Sequence, residues 1–272
     1  MKCLLALLLL WAMAGALAQG GLEPDLADTR SDTGNEPGAS LVESAFLVSI
    51  SAPDEIGQLL ERHLDLFRYR ALTDLSDDEL DRLIDLAQDD TRKLVATLGY
   101  FSPHIKIERY TRSDEQRSVT ISVSVGEPVQ ISSVRLRFVG PIATDIAAAA
   151  QRQLIQESWL LPAGMRFTQS RWDAAKQQAL RQLSAQRFPL GAISQTLADI
   201  DPLARQAHLE LTLDSGPVYR TGEPVITGLE RFDTELVKRL ARIPVGVDYD
   251  QKQLVAAQQR LTDSGFFGSA FI

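Results

Sequence analysis

Val119–Gln130 reads VTISVSVGEPVQ, which is two strands meeting at a joint. Val119, Ile121, Val123 and Val125 alternate with Thr120, Ser122 and Ser124, the period-two pattern of a half-buried strand. Gly126-Glu127-Pro128 breaks the run, and Val129, Ile131 and Val134 begin another. The same event recurs at Leu209–Arg220, where Leu209, Leu211 and Leu213 alternate with polar residues, Gly216-Pro217 interrupts, and Val218 starts again. A strand that closes one unit and a turn that opens the next predict a tandem array of small units.

Outward from these joints the chain divides into units at 45–127, 128–217 and 218–272. In the first, Phe46, Val48 and Ile50 alternate as a short strand. Pro53-Asp54-Glu55 then opens a helix whose Ile56, Leu59, Leu60, Leu64 and Phe67 share one face. Ser76 and Glu79 have the spacing of a capping box, and the apolar residues from Leu80 to Leu98 keep helical spacing up to Gly99. Ile105 and Ile107 mark a strand, Ser113–Arg117 a polar turn, and Val119 the closing strand. The order is β-α-α-β-β.

The second unit repeats that order. It has a strand at Val134, Leu136 and Phe138, a helix from about Thr144 to Trp159, a helix carrying Trp172, Leu180 and Leu183, and strands at 192–197 and 207–213. The third has a strand start at Val225-Ile226, a helix with Leu236, Val237 and Leu240, and a helix from an Asp250 N-cap. It reaches Phe271-Ile272 where its second strand is due, so it reads as truncated, with further sequence expected to follow. Leu161-Pro-Ala-Gly-Met-Arg-Phe167 matches Ile243-Pro-Val-Gly-Val-Asp-Tyr249 position for position, and Gly99-Tyr100-Phe101 reappears as Gly265-Phe266-Phe267. The second unit has Arg187-Phe188-Pro189 there. The aromatic pair is expected to pin a helix end to its sheet. The fold class is α+β: tandem units, each a three-stranded mixed sheet with two helices on one face, the third incomplete.

Residues 1–18 read as a secretory signal. Lys2 precedes the apolar Leu4–Met13, and Ala16-Leu17-Ala18 is a small-x-small site that places cleavage between Ala18 and Gln19. Cys3, the one cysteine, falls in the removed segment, which leaves no disulfide and no thiolate ligand. Residues 19–44 are polar and Gly-rich and read as a disordered leader. The 272 residues are 44% hydrophobic and 24% charged, and the net charge of −8 with no basic run argues against nucleic acid.

No catalytic, cofactor or metal site emerges. His63, His104 and His208 are scattered, and phosphate-loop, dinucleotide, G-x-S-x-G and H-E-x-x-H patterns are absent. Asp77, Asp78, Glu79 and Asp81 lack the spacing of a calcium loop and suit the first turn of a helix. What such units offer is a strand at a sheet edge, which must be blunted or used. In the first unit the candidate is Ile105-Lys106-Ile107-Glu108, with the isoleucines facing the core and Lys106 and Glu108 facing solvent. Gly191–Thr196 and Phe267–Ile272 are the counterparts. Main-chain pairing with an extended partner segment is the function such an edge supplies.

The repeated plan, the Gly-aromatic-aromatic signature and the Gly-Pro joints resemble POTRA domains of the Omp85 superfamily. LVATLGYF at Leu94–Phe101 and the run Leu161–Phe167 look most like the TamA-like branch. The resemblance implies a periplasmic arm, followed in the whole protein by an outer-membrane barrel that this sequence does not contain. It implies a TamB-like inner-membrane-anchored partner, and unfolded outer-membrane proteins or autotransporters as substrates. Arms of BamA-like and two-partner-secretion transporters, and a free periplasmic adaptor, share the pattern.

Overall fold

The computed structural model describes residues 44–72, 74–111 and 116–272. The signal, its Ala18–Gln19 cleavage site, nearly all of the 19–44 leader and most of the 113–117 turn lie outside the described residues.

The first unit has strand β1 (Leu47–Ser51), helices α1 (Asp54–His63), α2 (Asp65–Tyr69) and α3 (Asp77–Thr97), and strands β2 (His104–Thr111) and β3 (Arg117–Ser124). β3 is central. It runs parallel to β1 and antiparallel to β2 in the order β1-β3-β2. The alternation in Val119–Val125 has its cause here: Val119, Ile121 and Val123 are buried, and the Ser and Thr between them face away from the core. Phe46, Ile56, Leu60, Leu66, Leu80 and Val95 complete that core.

The single helix expected across Ile56–Phe67 is two helices. Leu64 adopts extended geometry (φ −77°, ψ 131°) between them and buries its side chain, so the chain turns while its apolar face stays in the core. The capping box forms as expected: the Glu79 N–H donates to Ser76 Oγ, and the Ser76 N–H donates to Glu79 Oε2 at 2.9 Å.

The second unit has β4 (Gln130–Val139), α4 (Pro141–Thr144), a 3-10 turn at Ile146–Ala148, α5 (Ala149–Glu157), α6 (Gln169–Ser184), β5 (Ala192–Asp201) and β6 (Gln206–Asp214), in the sheet order β4-β6-β5. The strand pairing repeats that of the first sheet. The helix expected over Thr144–Trp159 is broken at Asp145, which is extended and uses its carboxylate to cap the 3-10 turn at the Ala147 N–H. Trp172, Phe188, Leu209 and Leu211 centre this second core.

The third segment has helices α7 (Thr234–Ala241) and α8 (Gln251–Asp263), and Asp250 caps α8 as expected. The expected strand at Val225-Ile226 does not form, and neither does one at Phe267–Ile272. A strand needs a neighbour. Val225 is 91% exposed with none, and the chain just before it pairs elsewhere.

That pairing builds the joints. Between the first two units, Val129 N–H donates to Gly99 O (2.8 Å), Phe167 N–H to Val129 O (2.9 Å), Ile131 N–H to Met165 O (2.9 Å) and Gly164 N–H to Ile131 O (2.8 Å). At the next joint the same four bonds recur. Tyr219 N–H donates to Arg187 O (2.8 Å), Tyr249 N–H to Tyr219 O (2.9 Å), Thr221 N–H to Val247 O (2.8 Å) and Gly246 N–H to Thr221 O (2.7 Å). The repeated Pro-x-Gly run is thus a linker clasp, and its glycines share one left-handed turn, with φ of 86° and 79°.

Arg187 stands where the first unit has Gly99, and both have positive φ, 59° against 90°. The aromatic pair divides its work differently from the expectation. Tyr100 packs on the first core, whereas Phe101 crosses the joint into the second core, 6.1 Å from the Phe167 ring. Arg166 locks the same joint. It stacks 4.7 Å from the Tyr100 ring centroid, donates to Leu98 O at 2.8 Å, and reaches Glu55 at 3.3 Å.

Candidate docking edge

β2 lies at one margin of the first sheet, and its eight residues pair with β3 from His104↔Ser124 to Thr111↔Arg117 with no register shift. Among the described residues no backbone group bonds to its outer side. Ile105 and Ile107 turn inward and pack against the core. Arg109 continues that inward row past the end of the apolar core and meets the start of α3 at Asp77 and Asp81, each at 2.8 Å. Arg117 on β3 joins at Asp77 (3.2 Å) and donates to Leu75 O at 2.8 Å. Two arginines therefore tie the far end of the edge strand and its neighbour to the first turn of α3, so the acidic run there has a structural use. Among the described residues no group of His, Cys, Asp and Glu is arranged to hold a metal ion.

On the outward row, Lys106 meets Glu108 at 2.6 Å, and the Tyr110 hydroxyl donates to Glu108 at 2.7 Å. Lys106, then Tyr110, holds the Glu108 carboxyl below its usual range, and Glu108 in turn raises both Lys106 and Tyr110. The row is charged but internally neutralised. It blunts chance self-pairing and leaves the strand's backbone accessible.

The counterpart in the second unit is less regular. β5 is also marginal, but its register with β6 slips between Ile193 and Gln195, inside the Gly191–Thr196 stretch. A bulge there twists the edge and interrupts a docking ladder. Phe267–Ile272 offers no strand. Of the three sequence candidates, β2 alone among the described residues presents a long, unbulged strand. The sequence pattern placed two of the three stretches on edge strands, and the strand expected at Phe267–Ile272 does not form; the pattern carried no sign of the β5 bulge, because nothing at Ser194 marks one.

The carboxylates beside this edge give a pH prediction. The Arg109 hydrogen bond, then that of Arg117, lowers the Asp77 pKa, and the Ser76 backbone N–H, then its hydroxyl, lowers that of Glu79. A carboxylate depressed in the folded state adds stability above its unfolded pKa of about 4 and loses it as pH falls through the folded value. The melting temperature of the first unit is expected to be flat near neutrality and to drop below about pH 4. Asp77→Asn is expected to lower the plateau and shrink the drop. An identical pH profile for wild type and variant contradicts the assignment.

The two sheets share one strand order, and the joints between the units repeat the same hydrogen bonds. Residues 51–125, most of the first unit, match the family model for POTRA domain TamA domain 1, and the second unit repeats the topology of the first. Three solved structures are among those to which the chain is similar. Haemophilus influenzae BamA POTRA3-5 is 15% identical with a TM-score of 0.45, covering 83% of this chain and 87% of that one. The N-terminal domain of Omp85 from Thermosynechococcus elongatus is 17% identical with a TM-score of 0.33, covering 82% and 86%. CdiB from Escherichia coli is 13% identical with a TM-score of 0.28, covering 66% of this chain and 29% of its own. Among the described residues no helix is long and apolar enough to cross a membrane.

Proposed function

We propose that this chain is the periplasmic POTRA arm of a TamA-like translocation and assembly factor, which acts by docking and not by catalysis. The observation that carries the reading is the match of the first unit to the TamA domain 1 model, on a unit whose β2 edge is regular and open. An unfolded outer-membrane protein or autotransporter strand would add to β2 through its main chain, with Ile105 and Ile107 holding the edge to the core while Lys106 and Glu108 flank the incoming strand. Lys2 and the apolar run to the Ala18–Gln19 site support export to the periplasm. A TamB-like inner-membrane-anchored protein is the partner, and a barrel carried elsewhere in the whole protein would supply the outer-membrane half.

The test is binding of the full chain to a TamB-like periplasmic segment and to unfolded outer-membrane substrate. The proposal expects saturable binding to at least one of them. No binding to either removes the docking role.

A further inference from the structure

The third segment carries a cluster of cations that the docking reading does not use. Between the C-terminal end of α7 and one side of α8 lies an open groove of about 440 Å³, lined by Arg242, Pro244, Lys252, Gln253, Ala256 and Arg260. Three of its six lining residues are cationic, in a chain whose net charge is −8. Among the described residues no carboxylate pairs with Arg242, Lys252 or Arg260. The nearby acids are otherwise engaged: Asp248 with Arg187 and Arg220, Asp250 with the Lys252 N–H and Gln186.

The internal repeat shows that fold alone does not require these charges. The offset that aligns Leu161–Phe167 with Ile243–Tyr249 also aligns α6 with α8, so that buried Ala175 and Ala179 correspond to buried Ala257 and Leu261. At that offset Arg242, Lys252 and Arg260 correspond to Leu160, Ser170 and Gln178, and only Gln253 has a cationic counterpart, Arg171. Gln178 donates to Ser158 O at 2.9 Å and ties its helix to the one before it. Arg260 makes the equivalent tie, its guanidinium donating to Ala241 O. A neutral amide does that work in the second unit, so the charge of Arg260 is surplus to it. Arg242 also occupies a left-handed position (φ 50°), where glycine or asparagine is at less cost.

We infer that this groove is a binding site for phosphate groups, with Arg242, Lys252 and Arg260 converging on one anion. The guanidinium fork of Arg242, the Lys252 ammonium and the N–H groups of Arg260 that its bond to Ala241 O leaves over, around a small open groove, suit the several oxygens of a phosphate ester. The phosphate is either the headgroup of an anionic phospholipid or free in solution. This goes beyond strand addition at β2 and does not depend on it.

The test replaces the three cations with the residues the second unit already carries, R242L/K252S/R260Q, in the full chain. Flotation at low salt with phosphatidylglycerol–phosphatidylcholine vesicles, against phosphatidylcholine alone, reads the headgroup. Titration with inorganic phosphate, followed by amide shifts of residues 242–260, reads the free ion. Binding to phosphatidylglycerol vesicles that falls about fivefold per cation removed, on the order of a hundredfold in the triple variant, identifies the headgroup. Saturable shifts with inorganic phosphate, lost in the variant, identify the free ion. Lys252→Glu, at an exposed position, guards against a variant that merely misfolds, and is expected to weaken binding on its own. Equal behaviour of wild type and both variants overturns the inference, as does binding of an acidic peptide with no response to either phosphate source.

Discussion

Gly99→Val is expected to uncouple the first two units while leaving each folded. Gly99 has φ of 90°, and a Cβ placed there lies 2.2 Å from the Phe167 carbonyl oxygen, a backbone atom of the next unit. A β-branched residue in that conformation costs about 1–3 kcal/mol before any overlap is counted. The overlap has no flexible side chain to yield, so the clasp must open. The Val129-to-Gly99 bond, the Phe101–Phe167 contact and the Arg166 stack on Tyr100 all sit on that clasp. Spin labels at exposed Gln88 and Gln177, in a Cys3→Ser background, read the result. The wild type is expected to give one narrow distance distribution and Gly99→Val a broad one. A narrow distribution in both contradicts the clasp.

Ile121→Asp is expected to unfold the first unit and spare the second. Ile121 is fully buried on the central strand, registered with Ile50 on one side and Ile107 on the other. The change forfeits roughly 1.5–3 kcal/mol of apolar burial and places an unpaired carboxylate in the core, which costs several kcal/mol more. A domain holds about 5–15 kcal/mol in all, and a small one sits low in that range. Amide spectra should therefore lose the dispersed signals of the first unit and keep those of β4, β5 and β6. Loss of both sets together shows instead that the joint couples the units into one cooperative body.

Much of this architecture is legible in local sequence because its causes are local. The alternation in Val119–Val125 needs only a strand with one buried face, and Ser76 with Glu79 needs only a helix start. The repeated Pro-x-Gly run was visible as a pattern, but its use as a clasp was not, since its bonds reach from Gly164 to Ile131 and from Gly246 to Thr221. The breaks at Leu64 and Asp145 carry no Gly or Pro to announce them; Leu64 buries its side chain in the core, and Asp145 caps the turn that follows it. Arg187 in a left-handed position is equally silent, because nothing in an arginine favours that geometry. The candidate edge was legible as an alternating run, Ile105 to Glu108. Its regularity relative to β5 rests on a register slip that only the paired strands display.

Hydrogen exchange across β2 tests the docking account most directly. In an edge strand, alternate amides bond to β3 while the others point outward and exchange quickly. On adding unfolded outer-membrane substrate to the full chain, the account predicts slowed exchange at alternate residues of 104–111, with β5 unchanged. Saturating binding that leaves all of 104–111 at its free rate contradicts it, and places the docking surface elsewhere on the arm.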